Sequence, residues 1–291
     1  MRKYNRRVIS LLLCALASWF VPCAIAEDVG IRTILKEYHH RQQKILETIA
    51  DRNEKVNIEK AAALLFLNRK PQQTELLLLA FDHQKENSLT CTLPIRILCA
   101  HQNKLCKLDE AVRIHLQTEM ARWINSKSVQ FSTSITEKHL SESRKILDLS
   151  TLMLWARQVE DVTPGYKWPD KKSNQIQQKR FNGEINQWLD QKSRYGFSDC
   201  SYSDLLNCVG ALLNIHDWSN DPVMQTKAAA IIDLIIANMV QESLAGQWGG
   251  VRGRVADGSM HQDIYYINYL LFGLPVPENI QPSFDALRDC P

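Results

Sequence analysis

From Pro222 to Glu242 the chain is apolar on nearly every side, with Ala228, Ala229, Ala230, Ile231, Ile232, Leu234, Ile235, Ile236, Met239 and Val240 in one run. At the 3.6-residue period of a helix these side chains point in all directions, and a helix that is apolar all round has to be covered by other helices. The apolar run is short for a membrane span, and Asp233 lies in its middle. A second apolar stretch, Leu205 to Ile215, precedes it, and Pro222 suits the first turn of the helix that follows. The linker His216 to Asp221 is short enough to make the two helices antiparallel neighbours. The segments 192–202 and 246–254 then leave the hairpin at the same end. Arg194, Asp199, Trp248 and Arg252 are expected to share that surface, with His139 reaching it from a neighbouring helix.

Helical spacing recurs along the rest of the chain. Ile31, Ile34, Leu35 and Tyr38 open an amphipathic stretch that continues through Ile49. Ala61 to Leu67 reads as a compact helix ended by Pro71, and Thr74 to Phe81 as another with Thr74 as its N-cap. Leu108 to Ile124 and Ser134 to Val159 carry broad apolar faces. Pro164, Gly165 and Pro169, with the polar run around Lys171, make 161–180 a surface loop, and a helix resumes near Phe181. Strand alternation is scarce, with Ser128 to Thr133 the one short candidate. The expected fold is all-α and built from antiparallel helical hairpins.

The first 26 residues have the layout of a secretory signal. Arg2, Lys3, Arg6 and Arg7 precede an uncharged apolar stretch, Val8 to Val21, and Ala24-Ile25-Ala26 offers a cleavage site before Glu27. The competing reading, an uncleaved anchor, suffers from the short apolar core and Pro22. The expectation is therefore a periplasmic or secreted protein of about 265 residues. Losing four basic side chains turns the net charge of +3 into −1, so the basic balance carries no implication of nucleic-acid binding. Six cysteines remain, Cys91, Cys99, Cys106, Cys200, Cys208 and Cys290. Without a Cys-x2-Cys pair they do not suggest zinc, and no metal or cofactor is expected. An oxidising compartment permits disulfides, and a bridge between two of the closely spaced Cys91, Cys99 and Cys106 is expected. Small buried thiols are the alternative.

Chemistry-bearing residues concentrate between Trp188 and Tyr266. Trp188, Arg194, Phe197, Asp199 and Tyr202 precede the first apolar helix, and Gly246-Gln247-Trp248-Gly249-Gly250-Val251-Arg252-Gly253-Arg254 follows the second. Such a glycine density excludes ordinary helix and lets backbone approach a ligand. With Gly196-Phe197-Ser198-Asp199, Leu212-Leu213-Asn214, Asp217 and Asp221, this segment resembles exported bacterial (α/α)-toroid proteins, themselves distantly similar to alginate-lyase-like and heparinase-like enzymes. Upstream, Thr136-Glu137-Lys138-His139 stands where those relatives carry a Glu-Asn-His or Asn-Asn-His element, and Ala156-Arg157-Gln158 follows. The resemblance covers about residues 134–268.

The resemblance implies an open or incomplete (α/α) toroid, because about 265 residues hold fewer than the twelve helices of a full six-hairpin ring. It also implies an acidic polysaccharide as partner. Elimination at a uronic acid needs a group that neutralises the sugar carboxylate, a base for the neighbouring C–H and an acid for the leaving oxygen. By this carry-over His139, Arg194, Asp199 and Tyr202 are the catalytic candidates, and Trp188, Trp248, Arg252 and Arg254 the substrate-binding ones. Lys138 replaces the usual Asn, Asp199 the usual Glu, and Cys200 an aromatic residue. Each candidate also has a structural reading: Trp188, Phe197 and Tyr202 as core aromatics, Asp199 as a helix cap or partner of Arg194, and His216 and Asp217 as capping groups in the hairpin turn. Hydrolysis would need opposed carboxylates, for which Asp199 with Glu137 or Asp217 is the pairing available. The alternative function is a non-catalytic helical module that binds a glycan or a protein.

Overall fold

The computed structural model describes residues 29–51, 58–85, 92–126, 141–162, 166–197, 202–244, 247–248, 269–270 and 273. The signal expected at 1–26, the strand candidate at 128–133, and His139, Asp199, Arg252 and Arg254 lie outside them. Nine α-helices account for most of the described residues. They are α1 (Val29–Ala50), α2 (Ile58–Phe66), α3 (Pro71–Leu79), α4 (Thr92–Gln102), α5 (Glu110–Ser126), α6 (Glu142–Val162), α7 (Asn174–Tyr195), α8 (Tyr202–Trp218) and α9 (Pro222–Glu242). A 3-10 turn, His83–Lys85, follows α3, and a two-residue antiparallel ribbon pairs Ser243–Leu244 (β1) with Gln247–Trp248 (β2) after α9.

The helices alternate between two layers. The even-numbered ones pack in succession, α2 on α4, α4 on α6 and α6 on α8, while α3 packs on α5 and α7 on α9. Burial follows the same division. Residues 92–100 of α4, 146–156 of α6 and 208–215 of α8 are buried without interruption, as an inner layer requires. Each outer helix buries a stripe: α7 inserts Gln177, Phe181, Ile185, Trp188, Leu189 and Lys192. Phe181 and Ile185 are fully buried, and each such side chain contributes roughly 1.5–3 kcal/mol.

Hydrogen bonds within the inner layer give the directions. Asn214 of α8 bonds Ser150 of α6, and Arg157, one to two turns further along α6, bonds the carbonyl of Trp218. Helices α6 and α8 therefore run the same way. Helix α4 follows them, with Arg96 beside Asn214 and Cys99 beside Gln158. The inner layer thus has an upper end, where α4, α6 and α8 begin, and a lower end, where they finish. At the far edge the chain meets itself, because Arg41 of α1 donates to the Leu270 carbonyl at 3.0 Å and Lys44 lies over the Tyr269 ring.

Several sequence boundaries move. Pro71 starts α3 rather than ending the helix before it, and Thr74 lies inside that helix with its hydroxyl on the Lys70 carbonyl at 3.1 Å. Helix α7 begins at Asn174, seven residues before Phe181, because the Ser173 hydroxyl caps the Ile176 N–H. The hairpin turn shortens to Ser219–Asp221, since α8 continues through Trp218. Helix α4 had no counterpart in the sequence reading. Helices α8 and α9 pack against each other across the three-residue turn. No helix among the described residues is long and apolar enough to cross a membrane.

Candidate functional site

The upper end is built around Lys192. It lies on the buried stripe of α7, one turn after Trp188, and its ammonium pairs with the carboxylate of Glu142, the first residue of α6. The same ammonium lies 5.8 Å from the Trp188 ring centroid and 5.6 Å from that of Phe197, within the range of cation–π attraction. The two rings meet edge-on at 6.1 Å. Gly196 makes this possible. Its φ of 70° ends α7, its N–H bonds the Lys192 carbonyl at 3.0 Å, and the chain turns so that Phe197 reaches back over the ammonium.

The sequence candidates distribute around this cluster. Trp188 is only 4% exposed and belongs to the core, so its ring is not available to stack on a sugar. Arg194 is exposed on the last turn of α7 rather than in a loop. Tyr202 is the first residue of α8, and Trp248 ends the β-ribbon that follows α9. His139 falls on the connection into α6 and Asp199 on the connection into α8, both outside the described residues, as are Arg252 and Arg254.

The lower end holds a second polar cluster. Arg96 of α4, 3% exposed, donates to Asn214 at 2.6 Å and to the Asp217 carboxylate at 2.7 Å. His216 meets the other Asp217 oxygen at 3.0 Å. That hydrogen bond outweighs partial burial and, with the charges of Asp217 and Asp233, holds the His216 pKa above its ordinary value. Asp217 is therefore an internal ion-pair partner rather than a turn cap, and both its oxygens are occupied. It is not free to act with Asp199 as an opposed carboxylate. The chain from 166 into the first turns of α7 is equally bound, with Asn174 and Gln178 both donating to the Ala156 carbonyl and Trp168 packed edge-on to Tyr166.

The cysteines correct the disulfide expectation. Cys99 and Cys106 are both free, so no bridge can be drawn from Cys91, Cys99 and Cys106. Cys99 faces inward from α4 and accepts from Gln158 at 2.6 Å, while the Cys106 thiol faces the Ile97 carbonyl. Burial pushes the Cys99 thiol up to about 12 and Cys106 to about 11, which leaves both poor nucleophiles at neutral pH.

A third cluster joins the 3-10 turn to α5. Asp82, His83 and Glu119 bring potential metal-ligand atoms within 4.8 Å of one another. The Glu119 carboxylate already accepts from the His83 N–H at 3.1 Å, the His83 ring at 2.8 Å and Arg122 at 2.6 Å. Burial works against its ionisation, but these bonds outweigh it and lower its pKa. With both oxygens engaged, the geometry is that of a clamp.

Sequence reasoning passed over Lys192 and Arg96, yet each left a trace. Lys192 occupies an apolar-stripe position of α7, and Arg96 interrupts the apolar run Leu93 to Leu98. A charge in such a position needs an internal partner. No protein-family model matches the chain, and no match was found among curated proteins or solved structures.

Proposed function

We propose that the protein is exported and acts on or binds an acidic polysaccharide at the upper end of its helical layers, in an incomplete (α/α) toroid. The observation that carries this reading is topological. The connections bearing His139 and Asp199 lead into α6 and α8, neighbouring inner helices that begin at the same end. Arg194 and Tyr202 flank the second connection, and the hairpin returns the chain to that end before Trp248, Arg252 and Arg254. Arg194 would neutralise a uronate carboxylate, with His139 and Tyr202 moving protons and Trp248 stacking on a sugar ring. Of the two carboxylate pairings that hydrolysis could use, the one with Asp217 is removed, because Asp217 has both oxygens engaged at the lower end.

The test is incubation of the protein with a panel of uronate polysaccharides, followed at about 235 nm, where the unsaturated product of elimination absorbs. A rise with at least one substrate, abolished by Arg194→Ala, is the expected result. Binding without any rise would favour the second reading, a non-catalytic glycan-binding module. The presence of Lys138 in place of an amide residue before His139 is the feature that supports it.

A further inference from the structure

We infer that Lys192 is a positioning residue that fixes the end of α7, from which the chain leaves towards Asp199, relative to the start of α6, at which it arrives from His139. This rests on the reading proposed above for what Asp199 and His139 do, but its physical basis is independent of it. Lys192 belongs to the last turn of α7, from which the chain departs through 198–201 into α8. Glu142 is the first residue of α6, at which the chain arrives from 127–140. One ammonium therefore ties the departure point of one connection to the arrival point of the other.

The composition of this tie argues for a geometric role. A leucine on the buried stripe of α7 would pack there without the cost of taking an ammonium out of water. It would not define where the start of α6 sits. An ion pair does, because both charges lose stabilisation if either helix end shifts. Trp188 and Phe197 supply the rest of the cage. Trp188 therefore serves the site from behind, as a wall of the ammonium cage. Phe197 follows directly on Gly196, whose positive φ ends α7, so the helix cap, the aromatic wall and the ion pair stand side by side.

Two backbone amides report on the tie directly. The Lys145 N–H bonds the Ser141 carbonyl at 3.0 Å in the first turn of α6, and the Gly196 N–H bonds the Lys192 carbonyl at 3.0 Å at the end of α7. The experiment is native-state amide exchange on the full chain by NMR, combined with binding of mixed oligouronates. Lys192→Met is expected to speed exchange of both amides by about tenfold or more, and Lys192→Arg to restore them to within about threefold. The Ser219 N–H, bonded to the Ile215 carbonyl at the lower end, should not change in either variant. Glu142→Gln keeps the lysine and its rings and should still loosen Gly196, on another helix; this variant carries the test if Lys192→Met does not fold. Unchanged Gly196 exchange in Glu142→Gln overturns the inference, and so does a uniform rise that includes Ser219. In the binding arm, Lys192→Met and Glu142→Gln should each lose about tenfold in affinity for the oligouronates. If the unmodified protein binds none, the polysaccharide reading falls and the two amides alone decide the positioning role. If all variants bind equally well, the reading survives and the positioning role is overturned.

Discussion

The two ends of the inner layer use polar residues differently. At the lower end Arg96, Asn214, Asp217 and Ser150 satisfy one another inside the protein, Gln158 donates to Cys99, and the turn Ser219–Asp221 closes tightly over α8 and α9. At the upper end the internal polar pairing centres on Lys192 and Glu142, while Arg194 stays exposed and the other candidate residues fall on connections or helix starts. Buried, mutually paired charges hold a structure in register, whereas exposed ones beside helix termini remain available to a ligand. The same resemblance motif supplies both sets. Asn214 and Asp217 belong to the first and Arg194 to the second, so membership of a motif does not by itself distinguish support from function.

The sharpest way to break this contrast is Arg96→Ala. It leaves Asp217 buried without its cation and should cost about 3–5 kcal/mol of unfolding free energy, read from denaturant titration. Oligouronate affinity, measured where the variant is still folded, should stay near the unmodified value. If affinity falls in step with stability, the two ends are not independent and the contrast fails. A smaller effect is expected from the upper end. Trp248→Ala should weaken glycan binding by about 1–3 kcal/mol if its ring stacks on a sugar, on the scale known for base stacking. The helical circular-dichroism signal should persist, and its loss would place Trp248 in the core instead. The smallest effect concerns His216. Its pKa is raised in the folded protein, so its pairing with Asp217 stabilises fully below the ordinary histidine value of 6.5 and less as pH rises through the folded pKa. The melting-temperature gap between the unmodified protein and His216→Gln should be widest below about pH 6.5 and close at higher pH. A gap that widens towards alkaline pH would contradict the Asp217 pairing.

Helix content was legible in the sequence where burial was one-sided or where length disambiguated it. The bounds of α9 agree with the reading to the residue, but it buries one stripe and leaves Ala230 and Leu234 exposed instead of being covered all round; α1 differs by two residues at its start and one at its end. Helix α4 escaped because residues 92–100 are all buried, which erases the amphipathic period, and Pro94 sits in its first turn. The start of α7 escaped because Ser173, Asn174 and Gln177 look like loop residues and are in fact a cap, a half-buried donor and a buried donor. For Trp188 the sequence shows an aromatic near charges without showing which side of the helix it faces, and the structure turns that side into the core. The free thiols of Cys99 and Cys106 follow from the same limit: closeness along the chain does not aim two side chains at each other.

The grip of Arg41 on the Leu270 carbonyl has a thermodynamic consequence. A stack of helical hairpins that touch only their neighbours behaves as a linear array, and such an array frays inward from its terminal units. Here Arg41 of α1 holds the Leu270 carbonyl, so the edge formed by the first helix is fastened by a contact 229 residues further along the chain. Unfolding should accordingly be a single cooperative transition in which calorimetric and van't Hoff enthalpies agree. Arg41→Met, which removes that grip while keeping the bulk of the side chain, would reopen the edge and let α1 melt ahead of the remaining helices.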